Sequence, residues 1–136
     1  MPKRKAGLYP PEIQELIAEK SLALSKAQAF AGLGMADMAR DLWVAAGERE
    51  ERLAPLLEAL GHDLEAAAHR ISAAGCYQRA GVFGAAINLY QAALAGPLRE
   101  QTRADVKKQL GDCLGEISRE AFPSASRRRE GSKAKA

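Results

Sequence analysis

The stretch "QRAGVFGAAINLYQAALAGP", Gln78 to Pro97, decides the fold. It places Gly81, then Ala86 five residues on, Tyr90 four beyond that and Ala93 three later. Each choice has a physical reason. Glycine permits the left-handed turn that ends one helix and lets an antiparallel helix begin. Alanine suits the point where two helices cross, because a larger side chain would force them apart. Aromatic residues fill the wedge between one helix pair and the next. The same series occurs upstream, with Gly34 in the place of Gly81, 47 residues earlier. Phe30 then matches Tyr77, Ala39 matches Ala86, Trp43 matches Tyr90 and Ala46 matches Ala93.

Outward from these two segments the chain reads as all-α. Pro10 and Pro11 suit a helix start, since proline is tolerated in a first turn. Helix one carries Ile13, Leu16, Ile17, Leu24, Ala27 and Ala31 at helical spacing and ends at the Gly32–Gly34 segment. Helix two starts near Met35, sets Met38, Ala39, Leu42, Ala46, Leu53 and Leu57 on one side, and closes at Gly61. Pro55 is expected to kink or divide it. Helix three runs from about Asp63, an expected N-cap, to Ala80, with Leu64, Ala67, Ala68, Ile71, Ala74 and Tyr77 facing inward. Helix four covers about Val82 to Leu94, and helix five about Leu98 to Ala121, with Val106, Leu110, Cys113, Leu114 and Ile117 at heptad-like spacing. Short connections make successive helices antiparallel neighbours.

The segment "AAGCYQRAGVFGAAINLYQAAL", Ala73 to Leu94, resembles the tetratricopeptide repeat through Ala74, Tyr77, Gly81, Phe83, Ala86, Tyr90 and Ala93. Phe30, Gly34, Ala39, Trp43 and Ala46 give a looser match, and "KKQLGDCL", Lys107 to Leu114, is similar to the start of a third repeat. The family period is about 34 residues. The longer spacing here is most simply absorbed by extending helices two and three around Pro55 and Gly61. Lys26 and Arg70 stand where the family carries apolar or aromatic residues, and the first pair lacks the closing proline. The expected fold is therefore a short tetratricopeptide-like stack of antiparallel hairpins, about five helices over residues 11–122, with a plain antiparallel bundle as the alternative.

The 136 residues suit one domain, and 47% hydrophobic content with 5% aromatics means that alanine and leucine dominate the apolar set. The net charge of +3 is unevenly spread. Lys3, Arg4, Lys5, Arg127, Arg128, Arg129, Lys133 and Lys135, less Glu130, put +7 on the ends and leave −4 on the body. Residues 1–10 and 123–136 read as basic tails, the second polar enough to be disordered. Such tails solubilise, or hold phosphate backbones, so nucleic-acid association is an alternative function. No apolar run reaches the roughly 20 residues that span a bilayer, and no signal-peptide apolar region follows the basic start. Cys76 and Cys113 read as buried free thiols, which suits a cytoplasmic protein.

Catalytic and metal chemistry find little support. His62, Glu65, His69 and Cys76 share a stripe of helix three, but His69 and Cys76 lie about 10.5 Å apart along the axis, too far to ligate one ion. No Glu-x-x-His of the di-metal bundle type occurs, and Glu65 with His69 reads as an i,i+4 surface pair. The run "GEREERL", Gly47 to Leu53, reads as a solvated face. Trp43 sits at a repeat packing position. The Gly-x-Gly at Gly32 follows a helix and so lacks the strand-turn-helix context of a phosphate loop. The expectation is a non-enzyme without metal or cofactor, with a helical enzyme or metal protein as a further alternative.

The resemblance implies a protein-interaction module whose first helices line a concave groove. Position by position, it assigns to that groove Ser21, Leu24, Gln28, Ile71, Gln78, Arg79, Lys108 and Asp112. Leu24, Gln28 and Ile71 replace residues of the family's carboxylate clamp, so capture of an acidic C-terminus by that clamp is not expected. The expected role is an adaptor or scaffold holding a peptide or a partner helix. Two and a half repeats leave the ends of the stack thinly covered, so a homodimer through helix five is also expected, or else docking of helix five on a larger partner.

Overall fold

The computed structural model describes residues 9–122. The readings made above on the basic segments 1–8 and 123–136 lie outside the described residues. Five helices follow one another: α1 (Pro11–Gly32), α2 (Ala36–Ala59), α3 (Asp63–Arg79), α4 (Phe83–Leu94) and α5 (Glu100–Ala121). No strand occurs among the described residues. Each helix packs on its neighbours in the chain, α1 on α2 through to α4 on α5, and other pairs are at most marginally in contact. A closed bundle would bring the first and last helices together, so the arrangement is a consecutive stack.

Three of the four connections share one geometry. Gly34, Gly61 and Gly81 have φ of 77°, 84° and 81°, the left-handed region where a side chain is penalised. At each, the next amide reaches back to a carbonyl of the preceding helix: Met35 to Phe30 at 2.9 Å, His62 to Leu57 at 2.9 Å and Val82 to Tyr77 at 2.8 Å. The helix end is thereby satisfied and the chain reversed within three residues. The fourth connection lacks this glycine turn. There Arg103 reaches back from α5 to the carbonyls of Leu94, at 2.7 Å, and Gly96, at 3.0 Å.

The repeated positions do what their sizes suggest. Ala39, Ala46, Ala86 and Ala93 are buried, as are Trp43, Tyr77 and Tyr90, while Phe30 is half-buried. The core divides into three clusters along the stack. Ile13, Leu16, Leu53, Ala54, Leu57 and Ala66 join the start of α1, the end of α2 and the start of α3. Ala23, Ala27, Ala39, Trp43, Ala46, Cys76 and Ala80 join α1, α2 and α3. Tyr77, Ala86, Leu89, Tyr90, Val106 and Cys113 belong to the third, which joins α3, α4 and α5. The longer spacing of the first pair is explained by α2, which has 24 residues against 12 in α4. Its second half builds the first cluster, for which α4 has no counterpart.

Several expectations need correction. Pro55 does not divide α2. It lies near the C-terminal end on an exposed side of the helix, as does Glu51, whose carbonyl loses its amide donor. Asp63 is the first helical residue of α3 and His62 the N-cap, with no side-chain capping bond. On α3, Leu64 and Ala68 are exposed and Ile71 half-buried, because Ala66, Ala67, Ala73, Ala74, Cys76 and Tyr77 turn toward α2 and α4. Met38 and Ala31 are likewise exposed. Cys76 and Cys113 are free and buried, as expected.

Gly47 marks a close approach of α2 to α3. A Cβ there would lie 3.3 Å from the Cβ of Cys76 and 3.3 Å from two ring carbons of Tyr77.

Candidate functional site: a groove along alternate helices

A groove of about 1040 Å³ runs across one face of the stack. Its walls come chiefly from the alternate helices α1, α3 and α5, because each reversal returns the chain to that side. α1 contributes Leu24 and Gln28, α3 contributes Ile71, Gln78 and Arg79, and α5 contributes Gln109, Asp112, Glu116 and Arg119. Trp43, Glu50, Phe83 and Tyr90 reach the floor from α2 and α4. Six of the eight residues assigned from the sequence line it: Leu24, Gln28, Ile71, Gln78, Arg79 and Asp112. Ser21 and Lys108 do not; both are exposed beside it, and Lys108 pairs with Asp112 at 3.5 Å.

Three polar arrangements organise the groove. In the first, the Tyr90 hydroxyl donates to Gln78 Oε1 at 2.8 Å, and Gln78 Nε2 donates to Gln109 Oε1 at 3.0 Å. This relay ties α4, α3 and α5 together and leaves the Gln109 amide nitrogen to donate elsewhere. Burial pushes the Tyr90 hydroxyl up to about 12, so it stays a donor at neutral pH. In the second, the Arg79 guanidinium lies over the Trp43 ring, 5.1 Å from its centroid. In the third, Glu50 is only 2% exposed and accepts from two other helices, Lys20 of α1 at 3.4 Å and His69 of α3 at 2.5 Å.

Glu50 corrects the reading of "GEREERL" as wholly solvated. Glu48, Glu51 and Arg52 are exposed, but Gly47 and Glu50 are buried. A signal was present: Ala39, Trp43, Ala46, Glu50, Leu53 and Leu57 fall at spacings of four and three, so Glu50 occupies the buried register of α2. The expected surface pair of Glu65 and His69 is also replaced. Glu65 accepts from the Tyr9 hydroxyl, and His69 turns to Glu50. No group of three or more His, Cys, Asp or Glu side chains placed for a metal ion exists among the described residues.

Thiol chemistry is suppressed. Burial, with the nearby Glu50 carboxylate adding, pushes the Cys76 thiol up to about 11, and burial raises that of Cys113. Three glycines, Gly75, Gly111 and Gly115, present bare backbone to the groove. Sequence reasoning missed these glycines together with Gln109, Glu116 and Arg119. The part of helix five that faces the groove could not be read from its apolar seam alone.

The seam expected to drive dimerisation is partly covered within the chain. Val106 and Cys113 are buried, Leu110 is half-buried, and Leu114, Ile117 and Phe122 remain exposed. No helix among the described residues is long and apolar enough to cross a membrane. Comparison with protein-family models, with curated proteins and with solved structures found no match.

Proposed function

We propose that the chain is a non-catalytic protein-interaction module, an adaptor or scaffold that holds a peptide or a partner helix in the groove along α1, α3 and α5. The observation that carries this reading is the convergence of Leu24, Gln28, Ile71, Gln78, Arg79 and Asp112, drawn from three separate helices, on one groove. That placement agrees with what the tetratricopeptide resemblance implies. The lining alternates apolar faces with amides and charges, which suits side-chain anchoring together with backbone hydrogen bonds. The test is affinity capture from the native host with purified wild-type chain and with the double substitution Ile71→Glu, Gln78→Arg. Partners should be lost with the groove variant and kept with Arg52→Glu, which lies outside the groove. Equal capture by all three proteins refutes the assignment.

A second reading concerns self-association. α5 is the last helix of the described stack and packs chiefly on α4, leaving an outer face with Leu114 and Ile117 exposed and Phe122 exposed just beyond its end. A two-fold dimer through this face covers it. Light scattering should then show a doubled mass that Leu114→Glu returns to the monomer value. A monomer at high micromolar concentration excludes it.

A further inference from the structure

Most charges of the groove cancel in pairs. Glu50 is held by Lys20 and His69, Asp112 by Lys108 at 3.5 Å, and Glu116 by Arg119 at 2.5 Å. Arg79 is the exception, for it has no carboxylate within ion-pairing distance among the described residues. Its guanidinium carbon instead lies over the ring of Trp43, 5.1 Å from the centroid, and Trp43 is only 8% exposed. The cation–π contact restrains the guanidinium of an otherwise exposed side chain, whose N–H donors remain to meet a ligand. A planar fork of donors held in this way matches a carboxylate, which accepts two parallel hydrogen bonds from it. Less conformational entropy is then lost on binding than by a free arginine.

We infer that the groove selects segments carrying an acidic side chain, and that Arg79, braced on Trp43, is the residue that reads it. This rests on the proposed function, since it names the partner class of the same groove. The occupant is an extended or helical peptide with an internal Asp or Glu. Its carboxylate meets Arg79, and the free amide nitrogen of Gln109 donates to a carbonyl of its backbone. Asp112 and Glu116 each have a cation beside them, so Arg79 is the cation of the groove that no carboxylate holds.

The experiment is selection of random 12-residue peptides displayed on phage, run on the full chain and on three variants. Wild type should enrich peptides with Asp or Glu at one position of a shared motif. Arg79→Gln should lose that preference, with at least a tenfold weaker affinity for a synthetic copy of the selected peptide. Arg79→Glu should exchange it for Lys or Arg. Because Arg79 is exposed, these variants are expected to keep the wild-type helical content and melting temperature. Trp43, the one tryptophan of the chain, reports the encounter, because a carboxylate arriving at the stacked guanidinium changes its emission. Enriched peptides that compete for the groove but show no acidic preference, or whose preference survives Arg79→Glu, overturn the role of Arg79 and leave the groove standing. No enrichment, or enrichment unaffected by the third variant, Ile71→Glu combined with Gln78→Arg, overturns both.

Discussion

Replacing Gly47 by alanine tests whether α2 and α3 meet as closely as described. Two effects oppose each other. In a helix interior, alanine is favoured over glycine by roughly 0.8–1.0 kcal/mol. At Gly47 the new methyl would sit 3.3 Å from the Cβ of Cys76 and from two carbons of the Tyr77 ring, several tenths of an ångström inside ordinary contact. Neither neighbour has room to move. Cys76 is 2% exposed, and Tyr77 is held by its hydroxyl, which donates to Glu51 at 2.8 Å. Crowding of this kind in a packed core costs roughly 1–3 kcal/mol, so the net effect of Gly47→Ala is a loss of roughly 0–2 kcal/mol. Gly111 is the internal control. It is also mid-helix, but a Cβ there meets nothing within 4 Å, so Gly111→Ala should gain most of the roughly 1 kcal/mol. Urea unfolding followed by circular dichroism gives both values. The two variants should move the midpoint in opposite directions, or differ by at least about 1 kcal/mol. Equal gains at both sites refute the close crossing.

Ala86→Leu, at a fully buried position, should cost roughly 1–3 kcal/mol in thermal or urea unfolding, and an unchanged melting temperature would place the residue away from the crossing. Glu50→Ala should cost roughly 2–4 kcal/mol, because it opens a cavity and strands Lys20 and His69, and a change under 0.5 kcal/mol would show that the buried triad contributes little. The Cys76 thiol, raised to about 11 in the fold, contributes stability that is whole below its unfolded value near 9 and lost as pH rises through 11. Cys76→Ala should therefore remove roughly 2–3 kcal/mol of the stability decline between pH 9 and 11, and an unaltered pH profile of unfolding would contradict this.

The helices were legible because glycine, alanine and aromatic residues sit where turns, crossings and wedges need them. Gly34, Gly61 and Gly81 marked three reversals, since a left-handed residue leaves few alternatives to glycine. The facing of α3 was misread, as Leu64 and Ala68 show. A helix packed on both sides buries two strips of small residues, and alanine-rich sequence does not distinguish the strips from the gap between them. Leu24, Gln28, Ile71, Gln78, Arg79 and Asp112 were placed beside the groove by the resemblance. The contacts of Glu50 with His69, of Gln78 with Gln109 and of Arg79 with Trp43 each join residues at least 19 positions apart, and no local spacing encodes those meetings.

The two outer walls of the groove, α1 and α5, do not bear on one another; they are coupled only through the helices between them. A small rotation at each interface adds to the next, as in a bellows, so the distance between those walls responds to every interface along the stack. The aperture thus depends on residue sizes at the crossings, Gly47 and Ala86 among them, which lie outside the groove lining. Substitutions there would retune which segments the groove admits without altering a single residue of its lining.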